Sequence, residues 1–275
     1  MEKTHSSLRY IVNNIWYILV LSLLPAACLA GMTSVENCEI LYTAFFTGNM
    51  NTVTWAEIFH SVSLFNFTSV LSALFSLFSF FAIVLCAGML LALIDKHMRI
   101  GKLSLRGIVE KLNDNVMSTC GITLLYLVLY EVWALIFSAL VYVVSRFIES
   151  LILQYVLLVL LILGGGFVLL YVVAQFYLWL PCLQITGYRT FDALRYSNQL
   201  MEKHKLWLVR SVALSLLLGH IFIVPTMIFL PAVAAYIVLF VVYIVYYMVF
   251  IVRMEVLYFD TAQLEREDLN RHYEL

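Results

Sequence analysis

The chain has 275 residues, of which 64% are hydrophobic and 12% charged, with a mean hydropathy of +0.97. Soluble domains are close to half apolar and a quarter charged, so a water-soluble globular enzyme is excluded. A net charge of −1 supplies no basic field for nucleic acid, which is not expected as a partner.

A bilayer core of about 30 Å takes roughly 20 apolar residues of helix to cross. Six stretches reach that length, and the first is 10–32. It follows a tail with Lys3 and Arg9, so it imitates a secretory signal, and Leu24-Pro25-Ala26-Ala27-Cys28 has the outline of a lipoprotein cleavage box. Pro25 stands where that box takes an aliphatic residue, and the stretch is read as a retained span. The external loop 33–67 has no Lys or Arg but carries Glu36, Glu39 and Glu57 among Tyr42, Phe45, Phe46, Trp55 and Phe59. Thr54 followed by Glu57 predicts a capped helix start. Ile58, Phe59, Val62 and Phe65 continue at helical spacing, giving a short helix on the outer interface, packed as a lid or presented to a partner.

The second span is 68–94, the third 116–144 and the fourth 151–180. Glu131 falls about halfway along the third, flanked by Tyr126, Tyr130 and Trp133, and Gly164-Gly165-Gly166 falls at the middle of the fourth. The fifth and sixth spans, 207–230 and 231–252, are divided by a turn between Pro225 and Pro231, because proline cannot donate the backbone hydrogen bond that a continuous helix needs. His220 sits halfway along the fifth, and Tyr243, Tyr246 and Tyr247 lie at comparable depth on the sixth. A tail, 253–275, contains the acidic stretch 265–268.

Two basic segments, 99–115 and 189–205, each follow an outside-to-inside span and mix cations with an apolar stripe. Both are expected to lie on the membrane surface, with Arg99, Lys102, Arg106, Arg189, Arg195 and Lys203 reaching lipid phosphates. Span, amphipathic segment and span thus occur twice, a weak internal repeat of the kind found in transporter folds. All of the 16 Lys and Arg residues except Arg146 fall on one side of this threading, so both termini are cytoplasmic by the positive-inside rule. The expected fold is an all-α, six-helix membrane bundle forming one domain over 1–275.

Ionisable residues inside a bilayer are costly and usually face the bundle interior. A carboxylate (Glu131), an imidazole (His220) and the side-chain-free run Gly164, Gly165 and Gly166 at one depth form a candidate midplane polar site for a proton- or cation-linked step. The structural alternative is a Glu131 hydrogen-bonded across helices to Tyr or Ser, with the glycines allowing close packing. Cys28 and Cys38 both lie near the outer side and could form a disulfide in an oxidising compartment, the default being unpaired apolar filler, and no CxxC or Cys/His cluster suggests zinc. HExxH, GxSxG, P-loop and paired-aspartate signatures are absent, so no catalytic residue, metal or cofactor is assigned.

Asn13-Asn14-Ile15-Trp16 leading to Leu23-Leu24-Pro25 resembles the opening of the YesL-like bacterial membrane proteins. The run Ile108-Val109-Glu110-Lys111-Leu112-Asn113-Asp114-Asn115 is similar to that family's cytoplasmic segment, as is Tyr177-Leu178-Trp179-Leu180-Pro181 with the stretch 190–200. Ala193-Leu194-Arg195-Tyr196-Ser197-Asn198-Gln199-Leu200-Met201 also resembles the membrane domain of glycerophosphodiester phosphodiesterases. The 33–67 loop departs from the YesL-like pattern, in which the first two spans are closely joined. The resemblance implies a bacterial inner-membrane protein, often near carbohydrate-uptake genes, with no catalytic residues to carry over.

These readings favour a non-enzymatic accessory or scaffold in solute uptake or envelope homeostasis. Membrane lipids are its expected partners, together with other membrane proteins such as a transporter complex, met through the basic segments or the acidic tail. The rival is a small secondary transporter or channel built on the midplane site. An intramembrane enzyme would need a polar catalytic pair that the chain does not display.

Overall fold

The structure is a computed structural model that describes residues 2–65, 70–101 and 108–270. Helix α1 (Glu2–Asn13) ends where the Asn14 side chain donates to the Tyr10 carbonyl at 3.1 Å, and α2 (Ile15–Met32) starts beyond it. The first span therefore begins at Ile15, and Tyr10 belongs to a separate helix whose Tyr10 and Ile11 are buried. Outside the bundle α3 (Val35–Thr47) ends at left-handed Gly48 (φ 79°), and a short 3-10 turn, Met50–Thr52, leads to α4 (Trp55–Val62). The predicted capping box is present: the Glu57 N–H donates to Thr54 Oγ1 at 3.3 Å and the Thr54 N–H to Glu57 Oε2 at 2.7 Å.

Eight further helices follow among the described residues. They are the long pair α5 (Val70–Ile100) and α6 (Ile108–Phe147), then α7 (Leu151–Gln175), α8 (Trp179–Thr186) and α9 (Thr190–Met201), the hairpin α10 (Lys205–Phe229) and α11 (Ala232–Thr261), and the short α12 (Glu267–Asn270). No strand occurs among the described residues. Six helical stretches are long and apolar enough to cross a membrane: Ile15–Met32, Ala73–Ile100, Val116–Phe147, Leu151–Thr186, Lys205–Phe229 and Ala232–Thr261. The protein is an all-α, multi-pass membrane bundle.

The spans pack as a ring, each touching the next in the order α2, α5, α6, α7, α10, α11 and back to α2, with α5 also reaching α11. On α2 the buried Ile18, Ser22, Ala26 and Ala30 fall at successive fourth positions. Small residues on such a stripe let helix backbones approach closely, which is how spans associate where lipid tails remove the hydrophobic drive. The dense core lies at the end carrying both termini, where Leu90, Leu91, Ile94 and Met98 of α5 meet Ile251, Val252, Val256 and Leu257 of α11. At the opposite end α3 packs on α10 and α11 and α4 packs on α6, so the pair forms a plug in the ring. Ile58 at the plug centre is fully buried.

The turn between the fifth and sixth spans sits at Leu230–Pro231, within the expected stretch, and α10 runs through Pro225, which cannot donate to the Ile221 carbonyl, to Phe229. Other expected boundaries move. The segment 253–261 is helix rather than tail, buried as far as Phe259, because α11 continues to Thr261. The fourth span breaks at 176–178, and the three glycines lie within the unbroken α7. Pro181 in the first turn of α8 cannot donate to the carbonyl a turn back, and the Ser197 hydroxyl accepts the freed Leu178 N–H at 3.0 Å. Of the two basic segments only 189–205 holds a helix of its own, α9; in 99–115 the described part belongs to the ends of α5 and α6, and 102–107 lies outside the described residues.

Candidate functional site

On α6 the residues Thr123, Tyr126, Leu127, Tyr130 and Trp133 recur at third and fourth positions, which places them on one face. Val168, Leu169, Val172 and Val173 form the facing stripe of α7, and Phe80 of α5 with Phe250 and Met254 of α11 complete the wall. Between them lies a chamber of about 490 Å³, within the size range of small-molecule pockets. Leu129 and Val168, 48% and 55% exposed and both near mid-span, form part of the lining, so the chamber opens to the bundle surface near the middle of the spans. A second, wholly apolar space of about 210 Å³ lies under the plug, between Phe45, Ile58, Phe137 and Leu158.

The chamber is largely apolar, and three of its four hydroxyls are committed to the backbone. Thr123 donates to the Thr119 carbonyl at 2.6 Å, Tyr130 to the Val62 carbonyl at 2.8 Å and Tyr177 to the Phe250 carbonyl at 2.6 Å. The Tyr126 hydroxyl is buried with no hydrogen-bond partner, beside Trp179 at 5.7 Å between ring centres. Tyrosine is used in the same way elsewhere. Tyr247 donates to the Ile83 carbonyl at 3.0 Å, Tyr246 to the Leu216 carbonyl at 2.9 Å, and Tyr243 shares a 2.9 Å hydrogen bond with Thr33. The tyrosines of the sixth span thus fasten helices and do not line a polar path.

The expected midplane residues go to separate tasks. Glu131 accepts the Ser63 hydroxyl at 2.8 Å and the Leu64 N–H at 2.9 Å, so its carboxylate clamps the chain leaving α4 to the middle of α6. His220 is on the exposed face of α10, and its Nδ1 is within 2.8 Å of the Leu216 carbonyl one turn back. The Glu131–His220 relay is therefore not assembled, because the loop descends to the carboxylate while the imidazole faces outward. Gly165 alone of the three glycines meets another helix: a Cβ there would stand 2.7 Å from Phe137, whereas Gly164 and Gly166 have nothing within 4 Å. Beside His220, Gly219 is the tighter contact, since a Cβ on it would overlap the Tyr246 phenol.

Among the basic residues Arg99 is held by Asp95 at 2.6 Å and lies over the Phe259 ring, 5.5 Å from its centre. Arg189, Arg195 and Lys203 are exposed on or beside α9, which also presents Phe191, 79% exposed. Lys102 and Arg106 lie outside the described residues. At the same end of the bundle Tyr10 bridges Tyr17 (2.7 Å) and His97 (2.8 Å), and Arg266 covers its ring while pairing with Asp268 at 2.8 Å.

All five cysteines are free, so Cys28 and Cys38 are unpaired and the possible disulfide between them is not formed. Cys28 is buried in α2 near Cys86, whereas Cys38 of α3 points its thiol at the Ser61 carbonyl, 3.6 Å away, so the two sulfurs have different neighbours. Burial pushes the Cys38 thiol up to about 12. Among the described residues no group of three or more His, Cys, Asp or Glu is placed to hold a metal ion. The chamber itself was not anticipated from the sequence, although the aromatic stripe on α6 was its visible trace. No family model matches the chain, and neither a curated protein nor a solved structure is significantly similar to it.

Proposed function

We propose that this protein is a non-enzymatic component of a bacterial cytoplasmic membrane, acting in solute uptake or envelope homeostasis, and that it works by holding a lipid chain inside its helix ring. The observation that carries this reading is the 490 Å³ chamber, aromatic and apolar, open to the bundle surface at mid-span. A space walled this way favours a hydrocarbon chain over a hydrated solute, because a polar guest would lose its hydration and find the Tyr126 hydroxyl as the one uncommitted hydroxyl of the wall. The charge asymmetry supports cytoplasmic termini, and on that orientation the exposed cations of α9 face the anionic inner leaflet with Phe191 dipping among the headgroups. The resemblance to YesL-like proteins suggests the same setting, as an accessory to other membrane proteins.

The separate engagement of Glu131 and His220 removes the polar pair on which the transporter alternative was built. Native mass spectrometry on protein extracted in a mild detergent tests the proposal. The expected result is one lipid retained per chain, lost when Val172→Trp fills the chamber while the thermal midpoint holds. Protein that emerges empty, or that keeps its lipid in Val172→Trp, contradicts it.

A further inference from the structure

Arg253 is 4% exposed on α11, about 30 Å of helix beyond the start of that span at Ala232. A guanidinium carries five N–H donors. Here Nη2 reaches Ser215 Oγ at 3.3 Å, a long contact, and Nε is buried with no acceptor. No carboxylate among the described residues pairs with it: Asp95 holds Arg99, Asp268 holds Arg266, and Glu255 lies near Cys182. The titratable neighbour that acts on Arg253 is the phenol of Tyr177. A buried cation without a counter-charge is costly, and in membrane proteins such a residue marks a place where an anion is taken.

The surroundings say what else that anion carries. Phe250 and Met254 line the chamber, and Arg253 falls at the third position after Phe250, on the same stripe of α11. Tyr177 also lines the chamber and is bonded to the Phe250 carbonyl. Arg253 does not itself line the chamber; its neighbour Tyr177 does, so the guanidinium stands behind that ring, next to the end of the chamber that holds Thr123, Tyr126 and Tyr177, while Trp133 and Leu64 mark the other end. From Thr123 to Trp133 the α6 wall runs about 15 Å, the length of an extended chain of roughly a dozen carbons.

Resting on the proposed lipid-chain chamber, we infer that the ligand is an anionic amphiphile with one acyl chain in the aromatic chamber and a phosphate or carboxylate head drawn to Arg253. The guanidinium swings from its long contact with Ser215 to the anion, gaining charge-assisted hydrogen bonds for the donors now unused.

The test compares oleoyl lysophosphatidic acid with mono-oleoylglycerol, which has the same chain and lacks the phosphate, on the purified full-length protein. Inorganic phosphate alone is a third arm. The expected result is a preference of about tenfold or more for the phosphorylated lipid, lost in Arg253→Gln, largely kept in Arg253→Lys, with neutral-lipid binding unchanged in both. Inorganic phosphate at millimolar concentration is expected not to compete. Equal binding of the two lipids by the wild type overturns the head-group assignment and leaves the chamber reading standing. So does an Arg253→Gln loss that falls equally on both lipids, which would make Arg253 a packing residue. Displacement by inorganic phosphate alone would make the ligand a free anion and overturn the amphiphile class. Binding of neither lipid, with Val172→Trp indistinguishable from wild type, takes down the chamber reading itself.

Discussion

Glu131→Ala is expected to release α4 from the ring and to lower stability by about 1–3 kcal/mol, because it leaves the Leu64 N–H without its acceptor and the Ser63 hydroxyl with only the Phe65 carbonyl of its own loop. Glu131→Gln keeps one carbonyl oxygen and should lose about half as much. The release has a chemical readout. Cys38 lies against the Ser61 carbonyl, and burial holds its thiol at about 12, far above the ordinary thiol value of about 8.5. A raised value means the neutral thiol persists as pH climbs, so in a variant keeping only Cys38 the wild-type plug should resist maleimide at pH 8. Detaching α4 returns the thiol toward its ordinary value, and labelling at pH 8 should rise more than tenfold. An alanine variant that melts with the wild type and keeps Cys38 protected would remove the clamp from this account.

Gly219→Ala should be the most damaging small substitution in the spans. Its Cβ would overlap the phenol of Tyr246, whose hydroxyl is anchored on the Leu216 carbonyl of the same helix, so neither partner can yield without parting α10 from α11. Overpacking of this kind costs about 1–3 kcal/mol or more. Tyr246→Ala in the same chain should recover much of the loss, because the obstruction goes with the ring. The glycines of α7 provide the contrast. Gly164→Ala and Gly166→Ala meet open space and should be neutral or stabilising by up to about 1 kcal/mol through helix propensity. Gly165→Ala presses on the edge of the Phe137 ring, which can shift, so its cost should fall between the two. Thermal midpoints of the five variants in one detergent settle the order; a neutral Gly219→Ala would mean the two helices do not meet as described.

How far these features could be seen in the sequence depended on whether their cause was local. Span number follows from hydropathy alone, and the α4 start follows from Thr54 and Glu57 three residues apart. Proline shows where local reading fails. Pro231 stops a helix, Pro25 and Pro225 sit inside helices, and Pro181 stands just after the break in the fourth span. The difference lies in what accepts the freed backbone groups, and at 176–178 that acceptor is Ser197, which only the folded chain brings near. Glu131 stands out in the sequence as a carboxylate within a span, but its partners are 67 and 68 residues away, so its role as a clamp is not readable there. His220 could have been placed outward. The buried positions of α10, Val212, Gly219, Ile223 and Met227, form a stripe at helical spacing that leaves residue 220 to one side. Arg253 was hidden by its position past the expected end of the sixth span, where a cation reads as an ordinary cytoplasmic flank.

The central claim is that the ring encloses a lipid chain. The measurement that reaches it most directly is the fluorescence of Trp133, which lines the chamber, against that of Trp16, which is 80% exposed on α2. In two variants that each retain only one of these tryptophans, a lipid with a brominated acyl chain is titrated into the detergent-solubilised protein. The account predicts quenching of Trp133 that saturates near one lipid per chain and is reversed by unbrominated lipid, with Trp16 showing only a gradual, unsaturated loss. Trp133 quenched no differently from Trp16 would contradict it.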